Sequence, residues 1–160
     1  MTTAETAPQV PPTGPRLPFY RLAPEIYAPL LALTRAAKKH LDPVLAELVL
    51  LRASQLNHCA FCLDMHITEA RRAGETEQRL HLLNAWEEAP GHYTDQEQAA
   101  LALTEAVTLV ARGGVPDAVY DRAAAHFDDV QLAHLLALIT AINSWNRINT
   151  ASRTPVGDAL

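Results

Sequence analysis

Sulfur redox capacity is scarce in this 160-residue chain, which has two cysteines, Cys59 and Cys62, three positions apart. A bridge between neighbours closes only a tiny loop and adds little to stability, which excludes a structural disulfide framework. None is required, since a single domain of this length buries roughly 68–70% of the surface its unfolded form exposes. Positive charge is sparse too. Thirteen Lys and Arg against eighteen Asp and Glu give a formal net charge of -5, and no basic cluster exceeds a pair. That balance argues against a nucleic-acid surface and for a small substrate.

Long apolar runs are missing. The segment from Val130 to about Thr150 is apolar on nearly every side between Leu132 and Ile142, yet it falls short of the roughly 18 consecutive apolar residues of a membrane span. Its expected place is a core or a subunit interface. The opening MTTAETAPQVPPTGPRLPFY has neither an apolar run of signal-peptide length nor a basic leader, so the expected location is cytoplasmic, without membrane partners. In that reducing compartment a Cys-x-x-Cys pair is more often catalytic or metal-binding than a static bridge. No stretch alternates as a strand does and no long repeat occurs, so the expected fold is all-α.

Residues 1–19 hold Pro8, Pro11, Pro12, Pro15, Pro18 and Gly14, which cannot continue a helix; a mobile or surface-draped arm is expected. Residues 20–152 are expected to form one bundle of about six to seven helices, and 153–160 a tail. From Pro24 apolar residues recur at mostly helical spacing as far as the basic end at Lys38, Lys39 and His40, and Asp42-Pro43 supplies a cap and first-turn proline for Val44 to Leu56. A third helix holds the cysteines and stops at Gly74, and Thr76 opens a short one toward Trp86. Thr94 to Glu97 has capping-box form, Pro116 begins a further helix, and Asp128 or Asp129 caps the last.

The chemistry concentrates between Glu47 and His66. Steps of three and four residues put Cys59, Cys62 and His66 on one helical face. Asn57 and His58 stand where a cap is expected, which would set the thiols in the first turn, where thiolate is favoured. In a thiol redox centre one sulfur attacks an electrophilic oxygen and the other captures the sulfenic acid as a disulfide. Cβ atoms three apart on a helix lie about 5–6 Å from each other, so that closure demands a distorted first turn. His66 can take the proton, and Glu47, an acid in the apolar run Leu48 to Leu51, needs a partner such as His66 or Arg52. Nearness to the helix start favours Cys59 as the more acidic thiol, and contact with His66 favours Cys62. Zinc is the chemical rival, with Cys59, Cys62 and His66 as three ligands, but no third cysteine exists. His58, His81, His92, His126 and His134 read as surface or satisfied histidines, with His58 a possible auxiliary beside Cys59. Trp145, Asn146 and Arg147 read as packing and C-terminal capping of the last helix.

The run LRASQLNHCAFCLDMH, followed by ITEARRAGE, resembles the alkylhydroperoxidase D-like branch of the carboxymuconolactone decarboxylase family. That branch is marked by Glu, eleven residues, Cys, two residues, Cys, three residues, His, and Glu47, Cys59, Cys62 and His66 match without a gap. The likeness continues through the Trp86 region, EQAALALTEAVT and AINSWNR. It implies a helical domain assembling as a homo-oligomer, a trimer or hexamer, with a partly buried pocket near subunit contacts. It also implies an antioxidant peroxidase acting on organic hydroperoxides without cofactor or metal, recycled by an external lipoyl or thioredoxin-like dithiol protein. By the resemblance Cys62 attacks, Cys59 resolves, the two form a redox-active disulfide, and His66 with Glu47 relays the proton. Phe61 departs from the pattern, standing where peroxidase members carry histidine, and His58 stands where related sequences often have glycine. Two other functions fit the same residues: a lyase or isomerase on a small carboxylated lactone using Glu47 and His66, and a non-catalytic redox-sensing oligomer. The decarboxylases generally lack the cysteine pair, which favours peroxide chemistry.

Overall fold

The computed structural model describes residues 14–157; most of the expected N-terminal arm and the last three residues of the expected tail lie outside them. Among the described residues every regular element is helical. The α-helical segments are α1 Phe19–Leu22, α2 Pro24–Lys38, α3 Pro43–Leu56, α4 Ala60–Arg72, α5 Glu77–Leu82, α6 Asp95–Thr108, α7 Asp117–Ala124 and α8 Asp129–Ser152. Among the described residues the fold is all-α, as expected.

Local chemistry explains where these helices begin. The Asp42 carboxylate accepts the Val44 and Leu45 N–H groups at 2.9 and 3.0 Å, with Pro43 in the first turn. Thr94 and Glu97 form the expected capping box of α6. At α8 the cap is Asp128, paired reciprocally with Gln131. Gly74, φ +101°, follows α4 in the left-handed backbone that ends helices at glycine. One expectation fails: α8 runs on to Ser152, so Trp145, Asn146 and Arg147 lie inside it and cap nothing. Arg147 instead donates to the Asn143 carbonyl and side chain one turn back.

Helix α3 is the axle of the bundle. It packs on α4, α6 and α8, while α2 crosses α8. Every residue from Leu45 to Leu51 is buried, Glu47 included, which is why that run is apolar all round apart from one acid. On one side Leu45, Val49 and Leu50 join Leu103, Leu135, Leu138 and Ile139. On the other, Leu48 and Leu51 meet Leu83, Trp86 and Leu101. The consequence is a carboxylate fixed inside a rigid core.

Beyond the apolar run Leu132 to Ile142, helix α8 carries Asn143, Asn146 and Asn149, which recur every third residue and are all buried. Asn146 donates to Ser54 Oγ at 3.0 Å and accepts from the Asn57 amide at 3.0 Å. Polar pairing thus locks α8 against the end of α3.

Candidate active site

The junction of α3 and α4 is built in three residues. Asn57 ends α3, its side chain tied to the Ala53 carbonyl and to Asn143 and Asn146 on α8. His58 then turns the chain at φ +53°, backbone that glycine adopts more readily. Cys59 is extended, φ -89° and ψ 92°, and is itself the N-cap of α4, its Sγ accepting the Cys62 N–H at 3.3 Å. The cap expected from Asn57 or His58 comes from the cysteine, since α3 keeps Asn57 for its own end. Cys59 stands outside the helix, its Cα 5.3 Å from that of Cys62, and the two are joined as a disulfide. The distortion needed for closure is this departure from helical backbone.

A cavity of about 410 Å³ opens beside the pair, between α2, α4 and α8. Tyr20, Tyr27, Leu31, Phe61, Met65 and Trp145 supply most of its apolar wall. The Tyr27 and Trp145 rings stand edge to face, centroids 5.5 Å apart, and the Trp145 indole donates to Thr34 at 2.9 Å. Cys62 and His66 both line the cavity, whereas Cys59 does not. Of the pair, Cys62 alone belongs to the wall of the space where a small molecule fits.

Behind that wall, His66 Nδ1–H donates to Glu47 Oε2 at 2.9 Å, both side chains being buried. Lys38 Nζ reaches the other carboxylate oxygen, Oε1, at 2.5 Å from the partly exposed end of α2. Burial alone would raise the Glu47 pKa, but the bonds and charges of His66 and Lys38 outweigh it and hold the carboxyl below its ordinary range. An ionised Glu47 fixes the tautomer of the ring. Nδ1 is the ring nitrogen that carries the hydrogen in that contact, and Nε2 is the one left to exchange a proton.

Arg52, the other partner expected for Glu47, goes elsewhere: its Nε donates to Glu105 at 2.8 Å, and Trp86 Nε1 joins the same oxygen at 2.7 Å. His58 is exposed and is not part of the cavity wall. His81, His92 and His126 are exposed, and His134 is half-buried with Nδ1 3.2 Å from the Ala37 carbonyl. Among the described residues no three of His, Cys, Asp or Glu are grouped to hold a metal ion, and no helix is long and apolar enough to cross a membrane. Sequence reasoning missed Lys38, Tyr20 and Asn149. Lys38 was readable only as a basic helix end. Asn149 did carry a signal, the asparagine repeat on one face of α8.

A helical bundle with a Cys-x-x-Cys pair at the mouth of one helix, backed across the core by an acid and a histidine, is the class of protein defined here. The sequence model of the carboxymuconolactone decarboxylase family matches residues 24–106, and the chain belongs to that family. It is 42% identical over 137 residues to the uncharacterised protein YdfG of Bacillus subtilis, covering 85% of this chain and 92% of YdfG. Against the uncharacterised YnjA of Escherichia coli it is 38% identical over 116 residues, 72% of this chain and 62% of YnjA. Among solved structures it is similar to ATU0492 of Agrobacterium tumefaciens, a protein of unknown function described as a candidate AhpD antioxidant defence protein. There the TM-score is 0.86 at 37% identity, covering 91% of this chain and 100% of that one.

Proposed function

We propose that this protein is a cytoplasmic thiol peroxidase, cofactor-free, that reduces organic hydroperoxides in antioxidant defence. One observation carries the reading: of two disulfide-joined cysteines, Cys62 alone borders the cavity, and it shares that wall with an imidazole whose far nitrogen is tied to a buried carboxylate. Membership of the family and likeness to an AhpD-described protein support it. In the reduced protein His66 Nε2 takes the Cys62 proton, and Glu47 steadies the imidazolium. The thiolate attacks the terminal peroxide oxygen: an S–O bond forms, the O–O bond breaks, and the departing alkoxide collects the proton from His66. Cys62 is then a sulfenic acid. Cys59 attacks its sulfur, water leaves with the Cys59 proton, and the disulfide results. A lipoyl or thioredoxin-like dithiol returns two electrons and two protons.

Phe61 passes no proton, so the relay runs through His66 and Glu47 alone, and the aromatic cavity wall suits a hydroperoxide with an apolar body. The reading includes assembly as a homo-oligomer, a trimer or hexamer, supported by exposed Ile26 and Leu33 on α2.

The test is a thiol titration of the reduced protein before and after one equivalent of cumene hydroperoxide. Native protein loses two thiols rapidly, Cys59→Ser traps a sulfenic acid on Cys62, and Cys62→Ser stays inert. Unchanged thiols with turnover of a carboxylated lactone would establish the lyase instead. Fast oxidation that no dithiol donor reverses would establish a non-catalytic sensor.

A further inference from the structure

Asn149 lies on α8, far from the motif in sequence, and is 4% exposed. Its amide Nδ2 stands 3.5 Å from Cys62 Sγ. The opposite end of the amide is held twice: Oδ1 meets the Tyr20 hydroxyl, and Thr154 Oγ1 donates to it at 2.8 Å. The reverse orientation would press a carbonyl oxygen against sulfur, which has no hydrogen to give either as disulfide or as thiolate. The N–H edge is therefore the one turned to Cys62.

We infer that Asn149 is a further catalytic residue, whose amide N–H hydrogen-bonds the Cys62 thiolate and stabilises it once the disulfide is reduced; this rests on Cys62 being the attacking thiol. A disulfide sulfur is a weak acceptor and a thiolate a strong one, so the same contact strengthens when the charge appears. Such differential binding favours the reactive form and makes Cys62 the easier sulfur to displace when Cys59 is attacked by the reductant. Cys59 has its own donor in the Cys62 backbone N–H. Each sulfur thus has one N–H, and of the two only Cys62 shares the cavity wall with His66. Tyr20 and Thr154 are positioning residues, since they act through the amide.

The experiment titrates the Cys62 thiolate by its ultraviolet absorbance in the Cys59→Ser background, with no peroxide present. Asn149→Ala is expected to raise the thiol pKa by about one unit, a tenfold loss of thiolate well below the pKa, the scale of a hydrogen bond to a charged group. The pair Tyr20→Phe with Thr154→Val, which keeps Asn149 and frees its amide, is expected to raise it by a smaller amount. An unchanged pKa in Asn149→Ala overturns the inference, and where that variant does not fold, an unchanged pKa in the Tyr20/Thr154 pair overturns it. The two readings fail separately. An unchanged pKa in a protein that reduces peroxide sinks only the role of Asn149, and a raised pKa with native thiols inert to peroxide sinks only the peroxidase.

Discussion

Glu47 is an acid whose neighbours on its own helix are all apolar, and it is ionised because an imidazole and an ammonium meet its two oxygens. Its depressed pKa has a signed consequence. The ionised carboxyl contributes stability above the ordinary value of 4.5, and that contribution fades as pH falls through the lower folded value. Glu47→Gln is therefore expected to lose about 2 kcal/mol at neutral pH, with the gap to native narrowing below pH 4.5, as urea denaturation at stepped pH would show. The same variant should oxidise Cys62 with peroxide about a hundredfold more slowly, read by the thiol titration; an unaltered rate would remove Glu47 from the relay. Glu47 and His66 were legible in sequence because a fixed spacing across two successive helices is a one-dimensional signal. Lys38 and Tyr20 were not, since they reach the site from α2 and α1 and no local pattern states which helices pack together, and the asparagine repeat that marks Asn149 does not say that it meets Cys62.

Helix starts were legible for the same reason, being set by the residues at the start itself. Asp42 with Pro43, Thr94 with Glu97, and Thr76 all cap where expected. The α3–α4 junction was misread by one or two residues, because a thiol is not an expected cap, and His58 takes the left-handed turn before it. Left-handed backbone costs a residue with a Cβ about 1–2 kcal/mol, and glycine loses about 0.5–1 kcal/mol in chain entropy. His58→Gly is thus expected to gain up to about 1 kcal/mol in stability, seen as a higher melting temperature. The far end of α8 was misjudged because the asparagine stripe looks polar while lying buried. Asn146→Ala removes a donor to Ser54 Oγ and one of the three acceptors of the Asn57 amide and should cost about 1–2 kcal/mol in chemical denaturation. A loss under about 0.5 kcal/mol would mean that the stripe is replaceable by packing alone.

For the molecule as a whole, an all-helical class was legible from the lack of strand alternation, but assembly is not a property that periodicity encodes. The surface we propose for assembly is on α2, where Ile26 and Leu33, 50% and 42% exposed, lie seven residues apart on one face. The same helix lends Tyr27, Leu31 and Lys38 to the cavity wall, so a second copy seated on α2 would sit close to the chemistry. Apolar side chains of this size are worth about 1.5–3 kcal/mol each when removed from water, and closed symmetry repeats that gain at every interface. Neither side chain belongs to the buried core of the single subunit, so charging them leaves the fold intact. On the proposed assembly the native chain is expected to sediment as a trimer or hexamer and Ile26→Asp with Leu33→Asp as a monomer, with helical circular dichroism unchanged. A variant that sediments with the native protein would place the contact on another face and free α2 to serve the cavity alone.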